Sequence, residues 1–278
     1  MSKQKLGITD LVIEITRRCN MACAHCLRGD AQDLDMNPSF LDDLFSRLNQ
    51  ASTIVFTGGE PSLRPDLISY ALRAAKRNHV SVEQVYIVTN GKQVPETFLK
   101  ACRDWDRYCF LNQYGAKKNL VDARRAHDII RDYKSEDTIA GCYVSLSMDR
   151  FHEPVSLDSL SKLATLPRLM ADKYSKNDDP VLNTGRAKAT RAGTVDPAEL
   201  RPWEYDDRSK DLDIEDCGRR IFNVESLYLA ADGALLKHCD YAYTDQPRYT
   251  ISRIRPYGDP AWLERLLQTQ ESAEEETT

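Results

Sequence analysis

The sequence predicts an α/β protein with a parallel β-sheet, arranged as a doubly wound sheet or a partial barrel. Short apolar runs alternate with amphipathic stretches five or six times between residues 11 and 183, as in consecutive βαβ units. Polar residues and glycines follow several of these runs, at the strand ends where α/β proteins place their active sites. The alternation stops near residue 190, so the C-terminal part requires a separate description.

The first half of the predicted sheet is defined by apolar runs and by helix start signals. Asn37 is placed to cap a helix that begins with Pro38, and Pro65 opens the next one. Apolar positions at helical spacing support both helices. In order, the predicted elements are strand 11–15, the helix from Pro38, strand 53–57, the helix from Pro65, strand 85–88 and helix 95–104.

The second half continues the alternation less regularly. The predicted elements are strand 108–111, helix 117–133, strand 143–148, helix 156–172 and a sixth strand at 180–183. Residues 194–216 predict an irregular connector. The Asp232-Gly233 pair between apolar residues predicts a β-hairpin, and Pro260 begins a last helix. We therefore expect a core domain over residues 1–190, a C-terminal extension over 191–270 and a disordered acidic tail over 271–278.

Composition excludes several classes of function. The chain has 278 residues, 41% of them apolar, and a net charge of −5, which argues against a general nucleic-acid binder. No apolar run reaches the ~18–20 residues that a membrane span needs, and the polar N-terminus lacks the apolar core of a secretion signal. We expect a cytoplasmic protein without membrane or obvious nucleic-acid partners.

Three of the eight cysteines lie within eight residues, in a polar loop after the first strand. Cys19, Cys23 and Cys26 have the spacing C-x3-C-x2-C, and thiolates are soft ligands for zinc or iron–sulfur clusters. Three thiolates leave one iron of a four-iron cluster without a protein ligand, so a substrate can coordinate it. A zinc site that borrows His25 and three unrelated core thiols are the alternatives. A loop with three flanking arginines is a poor core.

At these residues the chain resembles the radical S-adenosylmethionine (radical SAM) superfamily, over roughly residues 8–190. The resemblance implies a partial (β/α)6 TIM-like barrel with a short C-terminal hairpin and helix. It also implies that the three cysteines hold a [4Fe–4S] cluster whose open iron binds the amino and carboxylate groups of SAM. His25 matches the aromatic residue or histidine that the family usually has before its third cysteine, and we predict that it contacts the cofactor.

Further matches follow the predicted strands. Gly58-Gly59-Glu60 is similar to the family's GGE stretch, which binds the methionyl amino group, and Asn90 matches a residue that lines the site floor. A plain turn is the alternative at both places.

The resemblance implies three more cofactor contacts. Asn112 and Ser147, at the predicted ends of strands four and five, would contact the ribose and carboxylate of SAM. Arg186, in a Gly-Arg pair at the end of the predicted sixth strand, would pair with the carboxylate. A solvated arginine is the alternative.

Asp149 and His152 are the predicted catalytic residues. They follow the predicted fifth strand, near the expected mouth of the substrate site. An imidazole titrates near neutral pH, so His152 is suited to moving a proton. A turn with solvated charges is the alternative.

Cys217 and Cys239 bracket the predicted hairpin. This arrangement is similar to a truncated form of the SPASM or Twitch extension of many radical SAM enzymes, which continues with further cysteines. This chain has none after Cys239. Either the hairpin is a remnant without a second cluster, or Asp240 or His238 completes a site. We expect one cluster per chain.

The resemblance implies an enzyme that reductively cleaves SAM to a 5′-deoxyadenosyl radical, which abstracts hydrogen from a peptide or small-molecule substrate. An electron donor such as flavodoxin or ferredoxin would reduce the cluster. A nucleoside or nucleotide substrate is the alternative within the family. A non-catalytic iron–sulfur or zinc-binding protein is the alternative from another class.

Overall fold

The protein is described from a computed structural model over residues 4–115, 140–148, 150–171, 181, 184–194, 212, 214–218, 220–238 and 241–275. Strands and helices alternate through the first half of these residues, as predicted. The elements are β1 (Lys5–Thr16), α1 (Pro38–Arg47), β2 (Leu48–Gly58), α2 (Pro65–Arg77), β3 (Ser81–Thr89), α3 (Glu96–Phe110), β4 (Gly141–Leu146), α4 (Leu157–Leu163), β5 (Leu169–Ala171), α5 (Gly185–Thr190), β6 (Ile214–Asp216), β7 (Ile221–Leu229), β8 (Ala234–Leu236), α6 (Gln246–Tyr249), β9 (Ser252–Arg253) and α7 (Trp262–Glu275).

The strands form one sheet in the order β5-β4-β3-β2-β1-β7-β8-β9, with β6 paired to β7. Strands β1 to β5 pair in parallel with one another, and β7 is parallel to β1. The pairs β6–β7, β7–β8 and β8–β9 are antiparallel. Over the described residues the sheet is open, with β5 and β9 at its ends. This architecture confirms the predicted α/β class and is compatible with a partial barrel.

The core lies between the sheet and helices α1 to α3. Asn37 caps α1 as predicted, since its side chain accepts the Ser39 backbone N–H at 3.0 Å. Leu11 and Ile13 of β1, Phe56 of β2 and Trp105 of α3 are fully buried in this core. Each such side chain contributes roughly 1.5–3 kcal/mol through burial, so the strand ends that carry the polar loops rest on a rigid base.

The C-terminal part continues the sheet. β7 pairs with β1 in parallel register from Lys5↔Ile221 to Ile13↔Leu229. The predicted hairpin is present, since β7 and β8 pair antiparallel at Tyr228↔Leu236. The predicted C-terminal extension is therefore joined to the first strand of the core by backbone hydrogen bonds.

One predicted strand is wrong. Residues 108–111 do not form a strand but complete α3, which runs to Phe110 and ends in a π-helical turn over Leu111–Gly115. The buried Phe98, Cys102, Trp105 and Cys109 keep helical spacing through this region. The short apolar run belongs to that helical stripe, and such runs do not distinguish a strand from a buried helix.

The predicted helix 156–172 is also wrong in its second half. Ser156 caps α4, which ends at Leu163, and residues 169–171 pair with β4 as β5. Pro167 explains the difference, because proline and the residue before it disfavour helix continuation.

Two further predictions differ near the C-terminus. Residues 271–275 continue α7 instead of forming a disordered tail, and residues 214–216 of the predicted connector form β6. The predicted helix 117–133, residues 195–211 of the connector and all of the predicted sixth strand except Val181 lie outside the described residues, and Val181 is not in a strand. None of the described helices combines the length and apolar character needed to cross a bilayer.

Candidate cofactor site

Three half-buried cysteines surround one cavity at the C-terminal end of β1. The cavity is partly open to solvent. Its lining residues include Arg17, Cys19, Met21, Cys23, Cys26, Gly58, Gly59, Arg186 and Tyr243. The structure thus brings together the predicted cysteines, two predicted glycines and one predicted arginine.

Backbone hydrogen bonds shape the cysteine loop. The Cys26 N–H donates to the Cys23 carbonyl at 3.2 Å, and the Gly29 N–H donates to the Cys26 carbonyl at 3.3 Å. These two turns wrap the chain around the last two cysteines. Burial raises the pKa of the Cys19 thiol, so a bound metal would have to displace its proton.

A cluster and a single metal ion require different spacings of their donor atoms. Within the described part of the chain, no three His, Cys, Asp or Glu side chains converge closely enough to hold one ion. Thiolates in a tetrahedral zinc site lie only about 3.8 Å apart, because each Zn–S bond is about 2.3 Å. In a four-iron cluster each thiolate binds a different iron, so the sulfurs are spread more widely. The three thiols line one cavity, and this arrangement is compatible with the wider spread of cluster ligands.

Gly58 and Gly59 let the end of β2 lie against the first residues of the cysteine loop. The Gly59 N–H donates to the Thr16 carbonyl at 2.7 Å, and the Glu60 N–H donates to the Arg18 carbonyl at 2.8 Å. A Cβ atom on Gly59 would lie 2.2 Å from the Arg18 carbonyl oxygen, where no side chain fits. Close backbone packing therefore requires glycine at this position, which also lines the cavity.

We predict that Gly59→Ala lowers iron binding although all three cysteines are intact. The added methyl group must displace the backbone at Arg18, next to Cys19, and overpacking of this kind costs about 1–3 kcal/mol. Iron per chain after anaerobic reconstitution and thermal unfolding of the apo-protein measure the two effects. Gly258→Ala is the control for backbone strain without a steric clash: its φ of 95° disfavours a side chain, but a Cβ there meets no atom within 4 Å, so this variant should keep its iron. Full iron content in Gly59→Ala would contradict the prediction.

Glu60 is buried between the ends of β2 and β3. Its Oε1 accepts from the Ser62 N–H at 3.0 Å and the Thr89 hydroxyl at 2.7 Å, and its Oε2 accepts from the Asn90 N–H at 2.8 Å. Burial raises the pKa of Glu60, and these three donors oppose the shift. A carboxylate has about four acceptor positions, so Oε2 can accept one further hydrogen bond.

Asn90 connects Glu60 to the cysteine loop. Its side-chain amide donates to Asn20 Oδ1 at 2.9 Å and lies 3.9 Å from the Cys19 sulfur. Lys92, two residues later, donates to the Asn20 carbonyl at 3.0 Å. The end of β3 therefore holds the first cysteine in place, and the predicted Glu60 and Asn90 are neighbours.

Gly185 and Arg186 begin α5 and do not end a strand. Gly185 has a φ of 52°, and a Cβ there would lie 2.1 Å from the Leu27 carbonyl oxygen. The Arg186 N–H donates to the Cys26 carbonyl at 2.9 Å, and its guanidinium pairs with Asp30. Among the described residues, Arg186 Nε is buried and has no hydrogen-bond partner. Arg186 is thus packed directly against the third cysteine.

The predicted His25 and His152 contact each other. The His25 ring stacks on Phe151 with centroids 4.8 Å apart and meets His152 edge-on at 5.1 Å. Lys92 and Glu153 form a salt bridge of 2.6 Å nearby. The turn after β4 therefore packs on the cysteine loop. Asp149 lies outside the described residues.

The cavity lining does not include Glu60, Asn90, His25 or His152, and it does not include Ser147, Asn112 or Cys217 either. Ser147 follows β4, and its N–H donates to the Thr89 carbonyl at 2.9 Å. Asn112 donates to the Tyr108 carbonyl at 2.9 Å, one turn back along the chain. Because no strand ends before Asn112, the basis for its predicted cofactor contact is wrong. Cys217 is exposed and accepts from Asn223 Nδ2 at 2.9 Å, and Cys239 lies outside the described residues.

Sequence reasoning missed Arg17 and Tyr243, which line the cavity. Arg17 pairs with the fully buried Glu14 at 2.6 Å and donates to Gln246 Oε1 at 2.5 Å. Its guanidinium lies 4.8 Å from the centroid of the Tyr243 ring. The one signal in the sequence was Glu14 itself, because a charge within an apolar strand requires a partner.

Comparisons with known proteins find similarity mainly in the first half of the chain. The model of the Radical SAM superfamily matches residues 13–143. An uncharacterized protein from Methanocaldococcus jannaschii is 26% identical over 173 residues, which are 59% of this chain and 56% of that protein. A GTP 3′,8-cyclase from Haemophilus influenzae is 31% identical over 138 residues, 47% of this chain and 39% of that protein.

A third curated relative and two solved structures are also similar. Fe-coproporphyrin III synthase from Methanosarcina barkeri is 32% identical over 111 residues, 37% of this chain and 26% of that protein. The chain thus matches only 26% to 56% of the length of these three curated relatives. The structure titled native anSMEcpe with bound AdoMet and Cp18Cys peptide has a TM-score of 0.43 at 11% identity, covering 96% of this chain and 82% of that one. Streptococcus suis SuiB bound to precursor peptide SuiA has a TM-score of 0.39 at 14% identity, covering 91% and 64%.

These TM-scores are too low to support an argument about the site or the substrate. The family match stands independently of them. It includes the three cysteines, Gly58 to Glu60 and Asn90. Residues 13–143, just under half of this chain, are therefore similar to the radical SAM superfamily, and the comparisons do not identify a substrate.

Proposed function

We propose that Cys19, Cys23 and Cys26 hold a [4Fe–4S] cluster and that the enzyme cleaves SAM reductively. The observation that carries this proposal is that three thiols from one loop line a single cavity. When bound, the cluster and SAM supply a 5′-deoxyadenosyl radical that abstracts hydrogen from the substrate.

Two charged residues are assigned to the methionyl part of SAM. Glu60 accepts from the ammonium group through the remaining acceptor position of Oε2. Arg186 pairs with the carboxylate, and its buried, unpartnered Nε supports this assignment. Asn90 positions Cys19 and Glu60 by donating to the loop through its amide and to the carboxylate through its backbone.

The residues around His25 are assigned to the substrate side of the site. His25 contacts the cofactor, and the Phe151 ring stacked on it excludes water from that side. His152, with Asp149, moves a proton of the substrate, and its contact with His25 places it beside the cysteine loop. Ser147 ties the end of β4 to that of β3 and is assigned a contact with SAM.

The proposed substrate is a peptide or another small molecule. A nucleotide is the second candidate, because GTP 3′,8-cyclases are about 30% identical over the matched segment. The rate of SAM cleavage with and without added GTP separates the two. Stimulation by GTP favours the nucleotide, and an unchanged rate favours the first class.

The proposal includes a cytoplasmic location and a flavodoxin or ferredoxin as the electron donor. All seven cysteines in the described part of the chain are free thiols, which is typical of a reducing compartment.

Reductive cleavage of SAM by the anaerobically reconstituted protein tests the proposal. Dithionite-reduced protein is expected to release methionine and 5′-deoxyadenosine. Arg186→Ala is expected to bind SAM about 10- to 150-fold more weakly, since a charge-assisted contact contributes about 1.5–3 kcal/mol. Lys188→Ala, an exposed change in the same helix, is the matched control and should bind normally. Absence of both products from iron-loaded wild type would refute the proposed function.

A further inference from the structure

Tyr243 is part of the cysteine cavity although it lies far beyond the family-matched segment. The matched residues end at 143, whereas Tyr243 belongs to the turn before α6. It lines the cavity together with Cys19, Cys23 and Cys26. The C-terminal part of the chain therefore contributes a side chain to the proposed cluster site.

The Tyr243 ring is held on two sides. Its backbone N–H donates to the Arg28 carbonyl at 2.9 Å, two residues after the last cysteine. The Arg17 guanidinium lies 4.8 Å from the ring centroid, at a distance typical of a cation–π contact. The residue is only 6% exposed. The backbone hydrogen bond fixes the position of the residue, and the cation–π contact and burial hold its ring in the cavity lining.

The Tyr243 hydroxyl is buried and has no hydrogen-bond partner among the described residues. Glu14, whose charge helps to raise the pKa of Tyr243, is already saturated. Its Oε1 accepts from Arg17 Nε and the Ala231 N–H, and its Oε2 accepts from the Tyr228 hydroxyl and Gln246 Nε2. A carboxylate accepts about four hydrogen bonds, so none remains for Tyr243.

A buried donor without a partner is rare and costs about 1–3 kcal/mol, so this hydroxyl requires an acceptor. Burial is the main cause that raises the pKa of Tyr243, and the charges of Glu14 and Cys26 add to it. The hydroxyl therefore keeps its proton at neutral pH and acts as a donor. A cluster bound in this cavity would bring sulfur atoms that can accept a hydrogen bond.

We propose that Tyr243 donates its hydroxyl hydrogen bond to a sulfur of the cluster held by Cys19, Cys23 and Cys26, and so raises the reduction potential of that cluster. Hydrogen bonds to cluster sulfurs stabilise the reduced form, which carries more negative charge. This inference rests on the proposed function, because it requires the cluster to be present.

The test is the midpoint potential of the reconstituted cluster in Tyr243→Phe, measured by a redox titration followed by electron paramagnetic resonance. The substitution removes only the hydroxyl. At a fixed potential, the ratio of reduced to oxidised cluster is expected to fall by up to about tenfold, or ~59 mV for one electron. Tyr241→Phe, two residues earlier and with its ring stacked on Tyr249 at 4.2 Å, is the matched control and should keep the wild-type potential.

Several outcomes overturn the inference. One is an unchanged potential in fully iron-loaded Tyr243→Phe. Another is weaker SAM binding at an unchanged potential, which would assign the hydroxyl to SAM. If Tyr243→Phe loads no iron, 3-fluorotyrosine at this position gives the answer, because its more acidic hydroxyl should shift the potential upward and an unchanged potential refutes the inference. Absence of a cluster from wild type would instead contradict the proposed function.

Discussion

Replacing Cys19, Cys23 and Cys26 together with Ala is expected to abolish iron binding and SAM cleavage. Each thiolate is assigned to a different iron, so the triple variant has no protein ligand for the cluster. The three side chains are only half-buried, so their loss should leave the fold intact. Iron and sulfide per chain after anaerobic reconstitution measure the effect, with about four irons expected in wild type.

Cys217→Ala is the matched control for this prediction. Its side chain is exposed and outside the cavity lining, so the variant should keep about four irons. Full iron content in the triple variant would refute the assignment of the three cysteines. About eight irons in wild type, falling to about four in Cys217→Ala/Cys239→Ala, would show a second cluster and contradict the expectation of one per chain.

Glu60→Ala is expected to have the largest effect on stability. Its removal leaves the Ser62 N–H, the Thr89 hydroxyl and the Asn90 N–H without their acceptor in a buried place. Since each unsatisfied buried donor costs about 1–3 kcal/mol, the free energy of unfolding should fall by roughly 3 kcal/mol or more. Denaturant unfolding of the apo-protein measures this loss. SAM binding should also weaken, about 10- to 150-fold.

Glu60→Gln separates the structural role from the cofactor contact. The amide oxygen keeps an acceptor while the negative charge is lost, so stability should fall less than in the Ala variant. SAM binding should weaken in both variants. Normal SAM binding by iron-loaded Glu60→Gln would show that the carboxylate only connects the ends of β2 and β3.

The raised pKa of Glu60 adds a pH dependence to both quantities. The folded state holds the Glu60 proton more tightly than the unfolded state, so this group lowers stability as pH rises from about 4.3 toward its raised pKa. SAM affinity changes in the opposite direction, because the ammonium group requires the ionised carboxylate. Affinity should therefore fall as pH decreases through the raised pKa. Glu60→Gln should lack both dependences.

Local sequence signals predicted the parts of the site that lie close together along the chain. The cysteine spacing and the glycines after the second strand could be recognised from their positions at the ends of predicted strands. The Asp232-Gly233 turn predicted its hairpin directly. The end of α3 was not predicted, because the apolar residues 108–111 suit either a strand or a helical stripe. The contact predicted between Asn112 and SAM depended on that strand, so its basis is wrong as well.

Contacts between distant segments could not be read from the sequence. Tyr243 reaches the cavity because β7 pairs with β1, which brings α6 and the turn before it beside Arg17. The partners of Glu14 are likewise more than 200 residues away, apart from Arg17. Such pairings depend on the register of the whole sheet, and no local pattern specifies them.

The central claim is that three cysteines leave one iron of the cluster open for SAM. The most direct measurement is the Mössbauer spectrum of wild type reconstituted with 57Fe, recorded with and without SAM. Four irons with three protein ligands predict that SAM changes the signal of about one quarter of the iron. A spectrum that SAM leaves unchanged, or iron that never assembles into a four-iron cluster, would contradict the claim.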